Sequence, residues 1–167
     1  MTTRTQRLNP ADIIAQWKKN GVTHVVWLPD SESNFMYQAM MADKSFDLVS
    51  VCREGESMAV AAGLMLGGKK PVVLIQNTGL MESGDSVRGL VLDLDLPLVM
   101  MIGYRGWTGH RVTTDSAARY LEPILTAWHI NHYVIESNRD VSLISNAFEE
   151  AERTHRAVAV LVGKEYD

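Results

Sequence analysis

Cysteine is all but absent from this chain, with Cys52 the single one in 167 residues, so no disulfide framework exists and a reducing compartment is expected. Nothing approaches the run of about 20 apolar residues that a membrane span needs, and the opening Met1-Thr-Thr-Arg-Thr-Gln-Arg7 has no apolar leader core. The expectation is a cytoplasmic protein without a membrane segment. An excess of positive charge is also missing: 16 basic residues face 20 acidic ones, a net charge of −4, which argues against a nucleic-acid partner. There is no Gly-rich phosphate loop, which disfavours a flavodoxin-like nucleotide binder. His129 and His132 lie three apart with no third ligand nearby, so they are read as structural and no metal site is expected.

What is present is alternation. Asn9 caps a helix that has Pro10 at its first position and Asp12 in its first turn, and Gly21 closes it. Apolar runs at 23–28, 46–52, 71–75, 96–102, 132–135 and 157–162 read as strands, and the segments between them as helices. Near-continuous apolar strands are the mark of a sheet covered on both faces. The fold class is therefore α/β, a three-layer doubly wound parallel sheet, in one domain spanning residues 1–167. One helix is expected from Thr78 through Leu92, and another from about Asp140. A third, from about Ala117 to Trp128, contains Pro123, which should break or kink it. Cys52 is expected in a buried strand, and 103–116 reads as a long loop.

The densest information lies in Val51-Cys-Arg-Glu-Gly-Glu-Ser-Met-Ala-Val-Ala-Ala-Gly63, a strand-to-helix junction. Helical spacing places Glu54 on one stripe with Met58, Ala61, Ala62 and Met65, so this acid joins a face that is otherwise apolar, while Glu56 points elsewhere and looks solvated. Two readings follow. Glu54 and Glu56 are first-turn acids favoured by the helix dipole, worth about 0.3–1 kcal/mol each, or Glu54 serves chemistry. Ligands collect at the carboxyl ends of parallel strands, and two more polar clusters fall there: Pro29-Asp30-Ser31 and Gln76-Asn77-Thr78-Gly79. Taken singly, each is a helix cap or turn.

Three stretches, Arg53 to Gly63, Pro71-Val-Val-Leu-Ile-Gln-Asn-Thr-Gly-Leu80 and Leu96-Pro-Leu-Val-Met-Met-Ile-Gly-Tyr-Arg-Gly106, resemble in order the pyrimidine-binding domain of thiamine-diphosphate-dependent decarboxylases. Within that superfamily the chain is most similar to the sulfopyruvate and phosphonopyruvate decarboxylases. The resemblance implies that Glu54 bonds N1′ of the aminopyrimidine and favours its imino form, which removes the C2 proton of the thiazolium. An apolar face suits a carboxyl that shares a proton with a ring nitrogen. It also implies that Gln76, Asn77, Thr78 and Met58 line the cofactor, and that Asp30, Ser31, Arg105 and His110 meet a small 2-oxo acid. A carboxylate with a sulfonate or phosphonate calls for cationic donors, which the 104–111 loop offers. Solvated surface arginine is the competing reading for Arg105 and Arg111. Trp27 and Trp107 either narrow the pocket or pack.

The family's Gly-Asp-Gly motif, which holds Mg²⁺ and the diphosphate, is missing. Gly84-Asp85-Ser86 lacks the second glycine and falls inside a predicted helix. The resemblance therefore implies a partner beta subunit that carries the diphosphate and Mg²⁺, in a hetero-oligomer with two or more alpha chains. The favoured reading is an alpha subunit of sulfopyruvate decarboxylase, converting sulfopyruvate to sulfoacetaldehyde and CO2. A phosphonopyruvate decarboxylase subunit and a non-catalytic scaffold subunit are the alternatives.

Overall fold

The computed structural model describes residues 7–109 and 112–163. Its first helix, α1 (Pro10–Lys19), starts as the sequence dictates: the Asn9 side chain accepts from the Ala11 N–H and Pro10 occupies the first turn. Gly21 follows at φ +72°, a left-handed backbone that glycine adopts without a Cβ penalty. The strands are β1 (His24–Trp27), β2 (Asp47–Ser50), β3 (Pro71–Gln76), β4 (Val99–Gly103), β5 (Asn131–Ile135) and β6 (Val158–Val162). All pair in parallel, in the order β2-β1-β3-β4-β6-β5.

Between them run α2 (Tyr37–Ala42), α3 (Glu54–Leu66), α4 (Asn77–Glu82), the single turn α5 (Gly84–Ser86), α6 (Ser116–Ala127) and α7 (Leu143–Thr154). Side chains along each central strand alternate between two cores. Val25, Trp27, Val72, Leu74, Met101 and Val160 face α1, α2 and α7, whereas Val26, Val73, Ile75, Met100, Ile102 and Leu161 face α3, α4 and α6. The result is the expected three-layer sandwich. Burying one such side chain contributes roughly 1.5–3 kcal/mol, and β3 and β4 bury them on both faces, so the middle of the sheet is where the fold is anchored.

Four expectations are corrected. Pro123 lies inside an uninterrupted α6. The proline removes one N–H and crowds the preceding turn, but α6 buries Ala118, Leu121 and Leu125 against the sheet, and that packing outweighs the local cost of about 3 kcal/mol. The helix expected over 78–92 is three pieces: α4, α5 and a π-helical segment at Val87–Leu92, with the first break at Ser83, whose hydroxyl donates back to the Gly79 carbonyl. The helix expected from Asp140 begins at Leu143, because the Asp140 carboxylate is spent accepting from the N–H groups of Glu136 and Ser137 and from the Ser137 hydroxyl. Cys52 is exposed and lies beyond the end of β2. Among the described residues, no helix is long and apolar enough to cross a membrane.

The strand order fixes where a site can form. From β1 the chain steps outward to β2, then crosses back over β1 to β3 and continues the other way. The carboxyl ends of β1 and β3 therefore flank the point where the winding reverses, the crevice in which open parallel sheets bind ligands.

Candidate functional site

Three strand ends meet at that crevice. After β1, Pro29 and Asp30 lead into a turn in which one Asp30 oxygen, Oδ1, accepts from the N–H groups of Glu32 (2.7 Å) and Ser33 (2.8 Å). These two bonds hold the carboxyl still. Its other oxygen, Oδ2, is buried without a hydrogen-bond partner, and so is the hydroxyl of Ser33, a residue only 2% exposed, which approaches the same carboxyl without normal hydrogen-bond geometry. Burial pushes Asp30 above the ordinary carboxyl value of 3.8. The bonds from Ser33 and Glu32 oppose the rise, and the charge of Glu54 adds to it.

After β2, Glu54 is the first residue of α3, and its stripe is the expected one: Met58 and Ala61 are fully buried and Ala62 nearly so. The side chain of Glu54, half-buried, lies across Gly79. A Cβ on Gly79 would come within 2.4 Å of Glu54 Cγ and 2.8 Å of its Oε1. Glu56 is exposed, as expected, yet it is not idle, since it accepts from the Cys52 N–H at 3.1 Å.

After β3, Gln76 ends the strand and caps α4, with its Oε1 buried and unpartnered. Asn77 is wholly buried: its amide donates to the Arg105 carbonyl (2.9 Å) and its oxygen accepts from the Thr78 N–H (3.0 Å). Asn77 is thus the strut that ties the turn after β3 to the loop after β4. Gly103, paired with Gln76 across the ladder, leaves room for Glu32, because a Cβ there would stand 2.5 Å from Glu32 Cβ.

Asp30 and Ser31 open onto a cavity of about 670 Å³, lined also by Trp27, Pro29, Asn34 and Tyr37. Trp27 stacks on Tyr37 and donates to Ser50 Oγ, so this indole is a wall of the cavity and part of the core together. Asp30, Glu54, Gln76, Asn77 and Thr78 therefore gather at one crevice.

The loop after β4 behaves differently. The Arg105 backbone reaches the crevice through Asn77, but its guanidinium turns away to Asp115, which caps α6, at 3.1 Å. A second cavity of about 450 Å³ lies beneath this loop, bounded by Tyr104, Trp107, Thr113, Arg119 and Glu122. Two of its polar side chains are paired: the Tyr104 hydroxyl donates to Glu122 (2.9 Å) and Trp107 Nε1 donates to Glu136 (2.6 Å). Burial, with that bond to Glu122, raises the Tyr104 phenol well above its ordinary value. His110 and Arg111 lie outside the described residues. His132 sits 3.7 Å from Glu122, and Asp85 pairs with Arg88 at 2.8 Å.

Sequence reasoning passed over Ser33 and Glu82. Ser33 carried no signal beyond its place in a turn. Glu82, at the end of α4, accepts from the Gly55 N–H and pairs with Arg53, a contact between segments 27 and 29 residues apart that no local pattern encodes. Gly79 was visible as a glycine at a strand-to-helix turn, where close approach of another group is one reason for the residue type.

No protein-family model matches the chain. The alpha subunit of sulfopyruvate decarboxylase from Methanothermobacter thermautotrophicus is 28% identical over 156 residues, covering 92% of this chain and 94% of that one. Phosphonopyruvate decarboxylase from Streptomyces viridochromogenes is 31% identical over 104 residues, which are 62% of this chain and 26% of that protein. Among solved structures, the 2-oxoglutarate:ferredoxin oxidoreductase of Magnetococcus marinus superposes with a TM-score of 0.69 over 94% of this chain and 29% of that one, at 17% identity, a likeness of fold. The chain is thus a homologue of the sulfopyruvate decarboxylase alpha subunits and of the phosphonopyruvate decarboxylases, folded as a three-layer parallel α/β sandwich.

Proposed function

We propose that this chain is the alpha subunit of a thiamine-diphosphate-dependent 2-oxo acid decarboxylase and that its substrate is sulfopyruvate. The observation that carries the reading is the Glu54 carboxyl lying over Gly79 beside three buried oxygens without partners, Asp30 Oδ2, Ser33 Oγ and Gln76 Oε1. A buried polar atom left unpaired costs about 1–3 kcal/mol, so three in one crevice call for a ligand that supplies donors. An aminopyrimidine is such a ligand: it offers an exocyclic amino group, and a ring nitrogen that shares a proton with a carboxyl. The residues fit the group.

When bound, thiamine diphosphate supplies the carbon nucleophile and the electron sink for decarboxylation. This chain's residues do the rest of the work on its side. Glu54 holds a proton at the ring nitrogen, on the helical face whose next residues, Met58 and Ala61, are buried. Gln76 and Thr78 line the ring's polar edge, and Asn77 keeps their turn in place. Asp30 and Ser31 face the 2-oxo acid from the cavity after β1. Overall, the C1–C2 bond of sulfopyruvate breaks, CO2 leaves, and C2 takes up a proton to give sulfoacetaldehyde. The diphosphate and Mg²⁺ belong to a beta subunit, in a hetero-oligomer, since this chain lacks the Gly-Asp-Gly motif. The alpha-subunit name of a relative that matches 92% of this chain supports the division.

Co-expression with the partner subunit, followed by CO2 release across a panel of 2-oxo acids, tests the assignment. Sulfopyruvate is expected to be turned over fastest, and a preference for phosphonopyruvate would reassign the substrate. Glu54→Gln should reduce turnover by roughly 10²–10⁴-fold while the complex still assembles. A mutant complex that decarboxylates normally removes Glu54 from the reaction.

A further inference from the structure

The helix that begins with Glu54 starts without the usual means of fixing its first turn. Its N-cap is Arg53, whose side chain makes no capping bond, so the amide groups of the first turn must find acceptors elsewhere. One comes from nearby, as Glu56 N–H donates to the Arg53 carbonyl at 3.1 Å. A second comes from another element. Glu82, the last residue of α4, accepts from the Gly55 N–H through Oε2 at 2.9 Å and pairs with Arg53 through Oε1. A carboxylate there is also favoured by the positive end of the α3 dipole.

The same short helix contacts Glu54 directly. Gly79 stands three residues before Glu82 on α4, close to one turn away, and the Glu54 side chain occupies the space a Cβ on Gly79 would fill. Gly55 is confined as well: a Cβ there would come within 3.3 Å of Ser86 Oγ and 3.4 Å of Glu82 Oε2. Backbone and side chain of the Glu54 turn are therefore both set by the segment at 79–86.

We infer that α4 positions the Glu54 carboxyl, with Gly79 leaving the space in which its side chain lies and Glu82 fixing the backbone from which it projects. Gly79 and Glu82 are positioning residues that act through Glu54. The inference rests on the reading of Glu54 as the group that meets the coenzyme ring. The Arg53–Glu82 pair is a minor part of it, because Arg53 is 73% exposed and surface pairs contribute little. The bond to Gly55 and the contact with Gly79 carry the argument. A displacement of about 1 Å at a reacting group can cost about a hundredfold in rate, and a Cβ at Gly79 forces a shift of that order.

The test uses the assembled alpha–beta complex. G79A is expected to lower kcat by about a hundredfold and to weaken thiamine diphosphate binding, measured calorimetrically without substrate, by about tenfold. Its melting temperature should move little, since alanine is the better helix residue and offsets the crowding. A merely structural role predicts the reverse pattern, a lowered melting temperature with normal turnover per folded complex. At the surface position, E82A should lose about tenfold in kcat and E82Q, which keeps an acceptor for Gly55, should recover most of it; this pair decides the question if G79A fails to assemble. G79A and E82A complexes that turn over and bind cofactor like the parent, while Glu54→Gln is inactive, overturn the positioning role and leave the reading of Glu54 standing. A fully active Glu54→Gln complex overturns that reading itself.

Discussion

The two sides of the sheet's carboxyl edge, only a few strands apart, solve opposite problems. Around β1 and β3 the chain buries oxygens it does not satisfy: Asp30 Oδ2, Ser33 Oγ and Gln76 Oε1. Beyond β4 it encloses a cavity of about 450 Å³ and pairs three of the polar side chains around it, Tyr104 with Glu122, Trp107 with Glu136 and Thr113 with the Gly106 carbonyl. Cavity volume alone does not separate a binding site from a gap between a loop and a helix. Unmet hydrogen-bonding capacity does, because a folded chain bears that cost of about 1–3 kcal/mol per group only where something later relieves it.

The sharpest way to break this contrast is to delete one polar group from each side. Glu54→Gln should reduce decarboxylation by roughly 10²–10⁴-fold, the range for loss of a proton-handling side chain, and leave the melting curve nearly where it was. Tyr104→Phe should do the opposite: it removes the bond to Glu122, costs about 1.5–3 kcal/mol in denaturant unfolding, and leaves turnover unchanged. Equal losses of activity in the two variants would mean that the loop after β4 belongs to the same site as Glu54.

A smaller effect sharpens the contrast from within the β1 turn. Ser33→Ala removes a buried hydroxyl that has no partner, so the free subunit should gain about 1 kcal/mol in chemical denaturation. The stabilisation that cofactor gives the assembled complex should shrink in the same variant. Loss of stability in the free subunit would show that the hydroxyl is already satisfied in the absence of ligand.

How much of this was legible beforehand follows the range of the interactions. The sheet could be read because β3 and β4 are continuous apolar runs, and α1 because Asn9, Pro10 and Gly21 are local signals. Asp30, Glu54 and Gln76 were found because each follows a strand, and parallel topology brings strand ends together. What escaped was set by docking between elements. Pro123 stays helical because α6 is packed against the sheet, the 78–92 segment breaks where Ser83 bonds back to Gly79, and Glu82 reaches Gly55 from a different helix. Arg105 illustrates the same limit. Its position near the crevice was foreseeable, but the turn of its guanidinium toward Asp115 was not.

The smallest expected effect concerns two aspartates held for different ends. Asp30 is raised above 3.8, chiefly by burial, so its charged form is the disfavoured one and its contribution to stability declines as pH climbs through the carboxyl range. Asp43 is lowered to about 2, first by Lys18 at 2.6 Å and then by Ser45, so it stabilises the fold above pH 3.8 and loses that contribution as pH falls toward about 2. Asparagine at position 30 keeps an oxygen for the N–H groups of Glu32 and Ser33 and removes the charge. Asp30→Asn should therefore melt above the parent near neutral pH, whereas Asp43→Asn should melt below it, and the two differences should close as the pH is brought down to about 2. Melting curves of both variants across that range measure the signs directly. If Asp30→Asn melts below the parent at neutral pH, that carboxylate is stabilised where it stands, and the β1 turn is not a place where the chain holds a group in reserve.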